Sequence, residues 1–360
     1  LFTGSWDDQT VAWDTWTGRR LFAVPGGQPY PGKDGRRFGT RSRFGYRRFE
    51  LASLPVESVL YGHEKPDDKH PLSVALAPGG RLAASCGLDG VRFWDLAARG
   101  EAAHLPVGTV LSVEFASDGS ALLASGRGGL LRWPIRSCVS GGRRRTVFGH
   151  PEPVSLIDDF WRHSSGAGGQ TVAVIHQKNH AHVLSLEGVD AERLETAKLD
   201  LGTALEALPG LTTIALSPDG RRVAGSSASS EQVLIWDAVS GKRIVSIAAP
   251  HSNLGFDPRN RFLVAGAPGE YLLIRTSDWT VARRMPRALG LSFVAPFAFD
   301  PCGEVMVLAH TDSRLWLVEI ESGRRLAELE ASDPRALNSL SLDLEGGFLA
   351  ASSQSQRVYV

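Results

Sequence analysis

The sequence predicts an all-β chain built from one unit repeated along its length, and three observations carry that prediction. Short runs of small, branched and apolar residues recur throughout, among them Leu72 to Ala77, Val110 to Ala116, Thr213 to Ser217 and Phe262 to Ala265, while no long stretch has helical spacing. Between pairs of runs stands a turn with Pro or Asp early and Gly or Asn late, the chemistry of a short hairpin: Lys33-Asp34-Gly35, Pro78-Gly79-Gly80, Ser117-Asp118-Gly119, Pro218-Asp219-Gly220, Pro258-Arg259-Asn260, Pro301-Cys302-Gly303 and Glu345-Gly346-Gly347. A second turn recurs almost unchanged, from Asp14 to Gly18-Arg19-Arg20, from Asp237 to Gly241-Lys242-Arg243 and from Glu319 to Gly323-Arg324-Arg325. In each copy an acid ends one strand, Gly supplies a positive φ, and basic residues open the next strand. The spacing of the first turn class is roughly 40 to 45 residues, which leaves room for four short strands and three connecting turns per period. The predicted architecture is a β-propeller of four-stranded antiparallel blades, seven or eight in number.

In chain order, residues 1–22 hold strand-like runs around Trp6-Asp7-Asp8 and the turn at Thr17-Gly18, and read as a partial repeat. Residues 82–95, LAASCGLDGVRFWD, are the fullest hairpin: a small and apolar run, a tight turn at Leu88-Asp89-Gly90, and a second apolar run ending on Trp94-Asp95. The gap from Gly119 to Gly220 is about double the period, with the Gly-rich segment Gly166 to Gly169 at its middle, and marks a degenerate repeat. Residues 337–360 are a second partial repeat, so both ends look cut and the whole of 1–360 reads as a single propeller. Nine closing strands against eight first-class turns leave blade number open; with eight blades, the strand near Arg19 to Phe22 would complete the sheet that ends at Val360.

These motifs resemble the WD40-repeat family, of a bacterial type found as part of longer chains. Gly62-His63, the Pro78 turn, Ser85, Asp89 and Trp94-Asp95 match one full repeat, and Thr3, Asp7 and Trp13 match the last three places of another. The resemblance implies that His63, Ser85, Asp89 and Trp94 form a hydrogen-bonded structural tetrad, with a partial one at Thr3, Asp7 and Trp13. It also implies a non-catalytic scaffold or sensing module that docks a protein or peptide, in some relatives tethered to a Ser/Thr kinase domain. Elsewhere the closing pair decays, to Phe49-Glu50, Trp133-Pro134, Ile274-Arg275 and Val318-Glu319.

Composition narrows the chemistry. With 39 basic and 39 acidic residues, no global field recruits nucleic acid or an anionic membrane, so nucleic acid is not an expected partner and any such contact must come from a local patch. The 3 cysteines, Cys86, Cys138 and Cys302, lie far apart, which argues against a disulfide framework and fits a reducing, cytoplasmic setting. No apolar run is long enough to span a bilayer. There is no nucleophile elbow, no phosphate loop, and Gly126, Gly128 and Gly129 lack the following helix that a dinucleotide site requires. The expectation is therefore no catalytic residue, no cofactor and no metal. His176, His180 and His182 are the one metal-like group, and they read better as a polar edge.

The local patch is residues 35–49, GRRFGTRSRFGYRRF, which carry six arginines and no acid. Arg41, Arg43, Arg47 and Arg48 are candidate anion-binding residues, with Phe38, Phe44, Tyr46 and Phe49 interleaved. The competing reading places the aromatics in the core and the arginines in solvent. The alternative to a protein platform is a small-molecule enzyme or sensor using a central channel.

Overall fold

The computed structural model describes the chain outside residues 1, 5–8, 14–19, 32–36, 43–44, 51–58, 61–71, 141–142, 156–159, 167–168, 177–179, 187–202, 207, 228–229, 289–294, 331–336, 346 and 354–357. The described residues are all-β and contain no helix, so none is long and apolar enough to cross a membrane.

Units of four antiparallel strands follow one another along the chain. In the first sheet Ser73–Leu76, Leu82–Gly87, Gly90–Asp95 and Gly100–Leu105 lie side by side in that order. The same meander recurs over 110–155, 160–204, 211–248, 253–286 and 297–330, giving the second to sixth sheets. In the second sheet the 12-residue strand Gly129–Ser140 pairs with Glu152–Ser155 along its first half and with Arg143–Phe148 along its second. The seventh sheet draws on distant parts of the chain: Leu337–Asp343, Phe348–Ser353 and Val358–Tyr359 are joined by Val59–Leu60 as the fourth strand. The partner of the strand at Val358 is thus not the one expected near Arg19 to Phe22. That strand, Arg20–Pro25, pairs instead with Arg325–Glu330 at the outer edge of the sixth sheet, Phe22 opposite Leu329 and Ala23 opposite Glu328. Either strand satisfies an open edge, and edge pairing carries little sequence information.

The turns obey the predicted chemistry. The amide of the late residue bonds the carbonyl three places back, as in Gly119 to Ala116, Gly220 to Ser217, Asn260 to Asp257 and Gly303 to Asp300, each at 2.8 Å. Gly169 to Gly166 at 3.0 Å makes the same turn, so the degenerate repeat keeps its first hairpin. Lys33-Asp34-Gly35 lies outside the described residues.

In the first two sheets the second strand is buried on both faces, as the continuous small and apolar runs LAASCG and ALLASG allow. Pleating sends alternate residues to opposite neighbours. Ala84, Cys86, Val91 and Phe93 pack on Val110, Phe115, Leu122 and Trp133 of the second sheet. Ala83 and Trp94 pack the other way, with Ala350 and Val358 of the seventh. Equivalent clusters join the second sheet to the third, the third to the fourth, and so on through the sixth and seventh. Each sheet therefore packs on its successor, and the seventh packs on the first.

Ahead of these, Phe2–Gly4 and Gln9–Trp13 extend the sixth sheet beyond Arg20–Pro25, and Gln28–Pro31, Arg37–Ser42 and Gly45–Glu50 form a separate three-stranded sheet. Phe38 lies between Phe2 and Phe49, with ring centroids at 4.4 and 4.9 Å.

Candidate functional site

In the first sheet, Gly87 and Gly90 face each other across the two-residue tip Leu88-Asp89. Gly90 has φ +115°, and a Cβ there would stand 2.0 Å from the Leu105 carbonyl oxygen. Only Gly lets the outer strand come this close to the tip. The resulting hairpin sets Ser85 and Trp94 on the face toward the seventh sheet. Trp94 Nε1 donates to Ser85 Oγ at 2.8 Å, both residues buried. Asp89 accepts from Arg92 Nη2 at 3.0 Å, and His104 Nε2 lies 3.0 Å from the Asp89 carbonyl. Arg92 also donates to Glu101 on the outer strand at 2.5 Å. Burial works against the Arg92 charge, but the Asp89 and Glu101 hydrogen bonds outweigh it and push the guanidinium up. His63 lies outside the described residues. Of the second set, Trp13 Nε1 donates to Thr3 Oγ1 at 2.7 Å, and Asp7 lies outside the described residues.

Sequence reasoning did not single out the inner strands, where side chains of one sheet bond the next. Ser341 Oγ accepts from the Leu76 amide at 3.0 Å, and Ser164 Oγ from Leu216 at 3.1 Å. Glu114 accepts from the amide and the hydroxyl of Ser165, at 3.0 and 2.8 Å. Beside it His163 Nδ1 meets Ser125 Oγ at 2.8 Å, while His163 Nε2 is 3.8 Å from Glu114. Desolvation pushes Glu114 up to about 7 against the Ser165 bonds, and pulls His163 down to about 4. With 37 % of the Glu114 side chain exposed, solvent offsets part of that push.

Serine, histidine and carboxylate in contact suggest acyl transfer, but the geometry does not serve it. Ser125 is 0 % exposed, and a histidine held neutral down to about 4 is a weak base at neutral pH. The cluster braces the junction between the second and third sheets. The available signal was position: His163 lies three residues before the Gly166 turn, where the repeat period would place an inner strand.

The first-class turns are also tied from one sheet to the next. Asn260 donates to Asp219 at 3.0 Å, Arg259 Nε to the Cys302 carbonyl at 2.8 Å, and the Leu344 amide to Asp300 at 2.8 Å. Asp257, fully buried, accepts from the amides of Arg261 and Phe262 at 2.5 and 2.7 Å and from the Arg261 guanidinium at 3.0 Å.

The arginine set is divided by the pleat. Arg41 pairs with Tyr46, and both are exposed; Arg47 pairs with buried Thr40 and is half-buried. Arg48 is described by its backbone, opposite Gly39, and Arg43 lies outside the described residues. The expectation that Tyr46 turns to the core fails, because it has the opposite strand parity to Phe49. His176 and His180 pair across neighbouring strands, yet no group of metal-ligating side chains occurs among the described residues. No family model matches the chain, and no curated protein matches it.

Proposed function

We propose that the chain is a seven-bladed β-propeller of WD40 type serving as a non-catalytic platform for a protein or peptide partner. The observation that carries this reading is the cyclic order of packing, each four-stranded unit on the next and the seventh on the first, with Val59–Leu60 supplying the last strand. Such a frame presents turns on two rims that vary without disturbing the sheets. The rim hydrogen bonds from Asn260 to Asp219 and from Leu344 to Asp300 hold those turns in a fixed array, which limits the ordering cost of docking. In this reading Ser85, Asp89 and Trp94, with His63, hold a blade together, and Thr3, Asp7 and Trp13 do the same for another. The proposed setting is cytoplasmic. Cross-linking mass spectrometry of the chain in its host's lysate tests the platform. The expected result is one partner whose cross-links cluster on one rim and vanish when that rim's turn residues are replaced. Enrichment of a small metabolite with no reproducible protein cross-link would overturn it in favour of a small-molecule function.

A further inference from the structure

The three-stranded sheet of Gln28–Pro31, Arg37–Ser42 and Gly45–Glu50 has one closed face and one open face. On the closed face Phe38 is 3 % exposed between two phenylalanine rings, and Thr40 Oγ1 donates to the Pro25 carbonyl at 2.8 Å. On the open face the register sets Tyr30 beside Gly39 and Gln28 beside Arg41, with Tyr46 on the far side of Arg41. Tyr46 is 74 % exposed and Tyr30 42 %. Their ring centroids are 6.5 Å apart, and Gly39, the residue paired with Tyr30, contributes no side chain to this face. The Arg41 guanidinium lies over the Tyr46 ring, 5.7 Å from its centroid. Two exposed aromatic rings cost free energy in water, and the arginines around them repel one another. Residues 35–49 carry six arginines and no acid; in the sheet itself Arg37, Arg41, Arg47 and Arg48 stand against one carboxylate, Glu50 opposite Arg37, so this sheet is locally positive although the whole chain is neutral.

The geometry points to this open face as a binding surface for single-stranded nucleic acid. Unpaired bases offer the apolar faces that Tyr30 and Tyr46 stack on, and phosphates offer the anions that Arg41 and its neighbours pair with. Duplex DNA does not fit, because its base faces are already stacked. An acidic peptide would satisfy the arginines and leave the tyrosines unused.

Fluorescence anisotropy with the whole chain tests this, using a labelled short oligothymidylate, an abasic strand of equal length and polyglutamate. Expected is preference for the oligothymidylate over the abasic strand by about tenfold or more, from stacking on at least one ring. Tyr46→Ala should remove that preference, and Arg41→Gln should make the slope of log affinity against log salt shallower by about 0.7. Both side chains are exposed, so melting temperature should not move, and this separates lost binding from lost fold. Equal affinity for all three ligands would overturn the proposal in favour of a plain polyanion contact. Absence of salt-sensitive binding would overturn it as well, as would self-association lost in Tyr46→Ala with no oligothymidylate bound.

Discussion

Trp94 and Trp236 stand at equivalent places in the first and fourth sheets, and one residue on the adjoining strand separates their environments. Trp94 pairs with Ala83 and bonds Ser85 two places on; Trp236 pairs with Val223, and two places on stands Gly225. A Cβ at Gly225 would lie 2.6 Å from the Trp236 ring, so the indole fills the space a serine would take, and its Nε1 has no hydrogen-bond partner among the described residues. Gly225→Ala should therefore cost about 1–3 kcal/mol by overpacking, read from chemical denaturation. Asp89→Ala should cost a similar ~1–3 kcal/mol by leaving Arg92 with one carboxylate fewer in a half-buried site, and an unchanged denaturation midpoint would remove Asp89 from any structural role.

The Glu114–His163 pair sets a pH signature at the same scale. A carboxyl raised from 4.5 to about 7 keeps its proton after the unfolded chain has released it, so its contribution falls as pH rises through that window. A histidine lowered from 6.5 to about 4 refuses a proton that the unfolded chain accepts, so its contribution is lost as pH falls from 6.5 towards 4. The two slopes oppose over their overlap, between 4.5 and 6.5. In the wild type the two contributions partly cancel there. Glu114→Gln should make stability rise with pH, and His163→Gln should make it fall, when melts are compared at both ends of the window.

At the scale of elements, the acid-to-Gly turn shows how far local chemistry reaches. Gly241 and Gly323 take positive φ and bond the carbonyl four places back, as their sequences imply. At the same place after the third strands of the first and fifth sheets, the left-handed residues are Arg99 at φ 54° and Trp279 at φ 59°. Neither residue announces a left-handed conformation. Asp95 compensates in the first case by accepting from the amides of Ala97 and Ala98, both at 2.9 Å. Relief of left-handed strain should make Arg99→Gly more stable by about 1 kcal/mol, since the side chain is exposed and little packing is lost; a lowered melting temperature would contradict this.

For the molecule as a whole, the junction of seventh and first sheets matters most. It rests on Val74, Leu76, Ala83 and Trp94 packed against Ala350 and Val358, on the bond from the Leu76 amide to Ser341, and on Val59–Leu60. A chain starting after residue 60 should lose that strand, expose an unpaired edge and aggregate at lower temperature than one starting after residue 50. Equal scattering onset on heating for the two chains would show that Val59–Leu60 does not protect the edge.

Local sequence encodes the strands, the hairpin turns and the repeat period. These depend on residues adjacent in the chain: a Gly or Asn at positive φ, a Pro or Asp before it, and small apolar runs on either side. It also carried the hairpin that brings Ser85 to Trp94, because that bond lies within one local unit. Other features depend on pairs far apart in the chain and emerge only when the sheets pack together. The partner of Val358 is Leu60, the partner of Phe22 is Leu329, and Ser125 meets His163. Edge strands accept many partners, and a one-residue change of register reverses which side chains face out, so these choices are made by packing rather than by pattern.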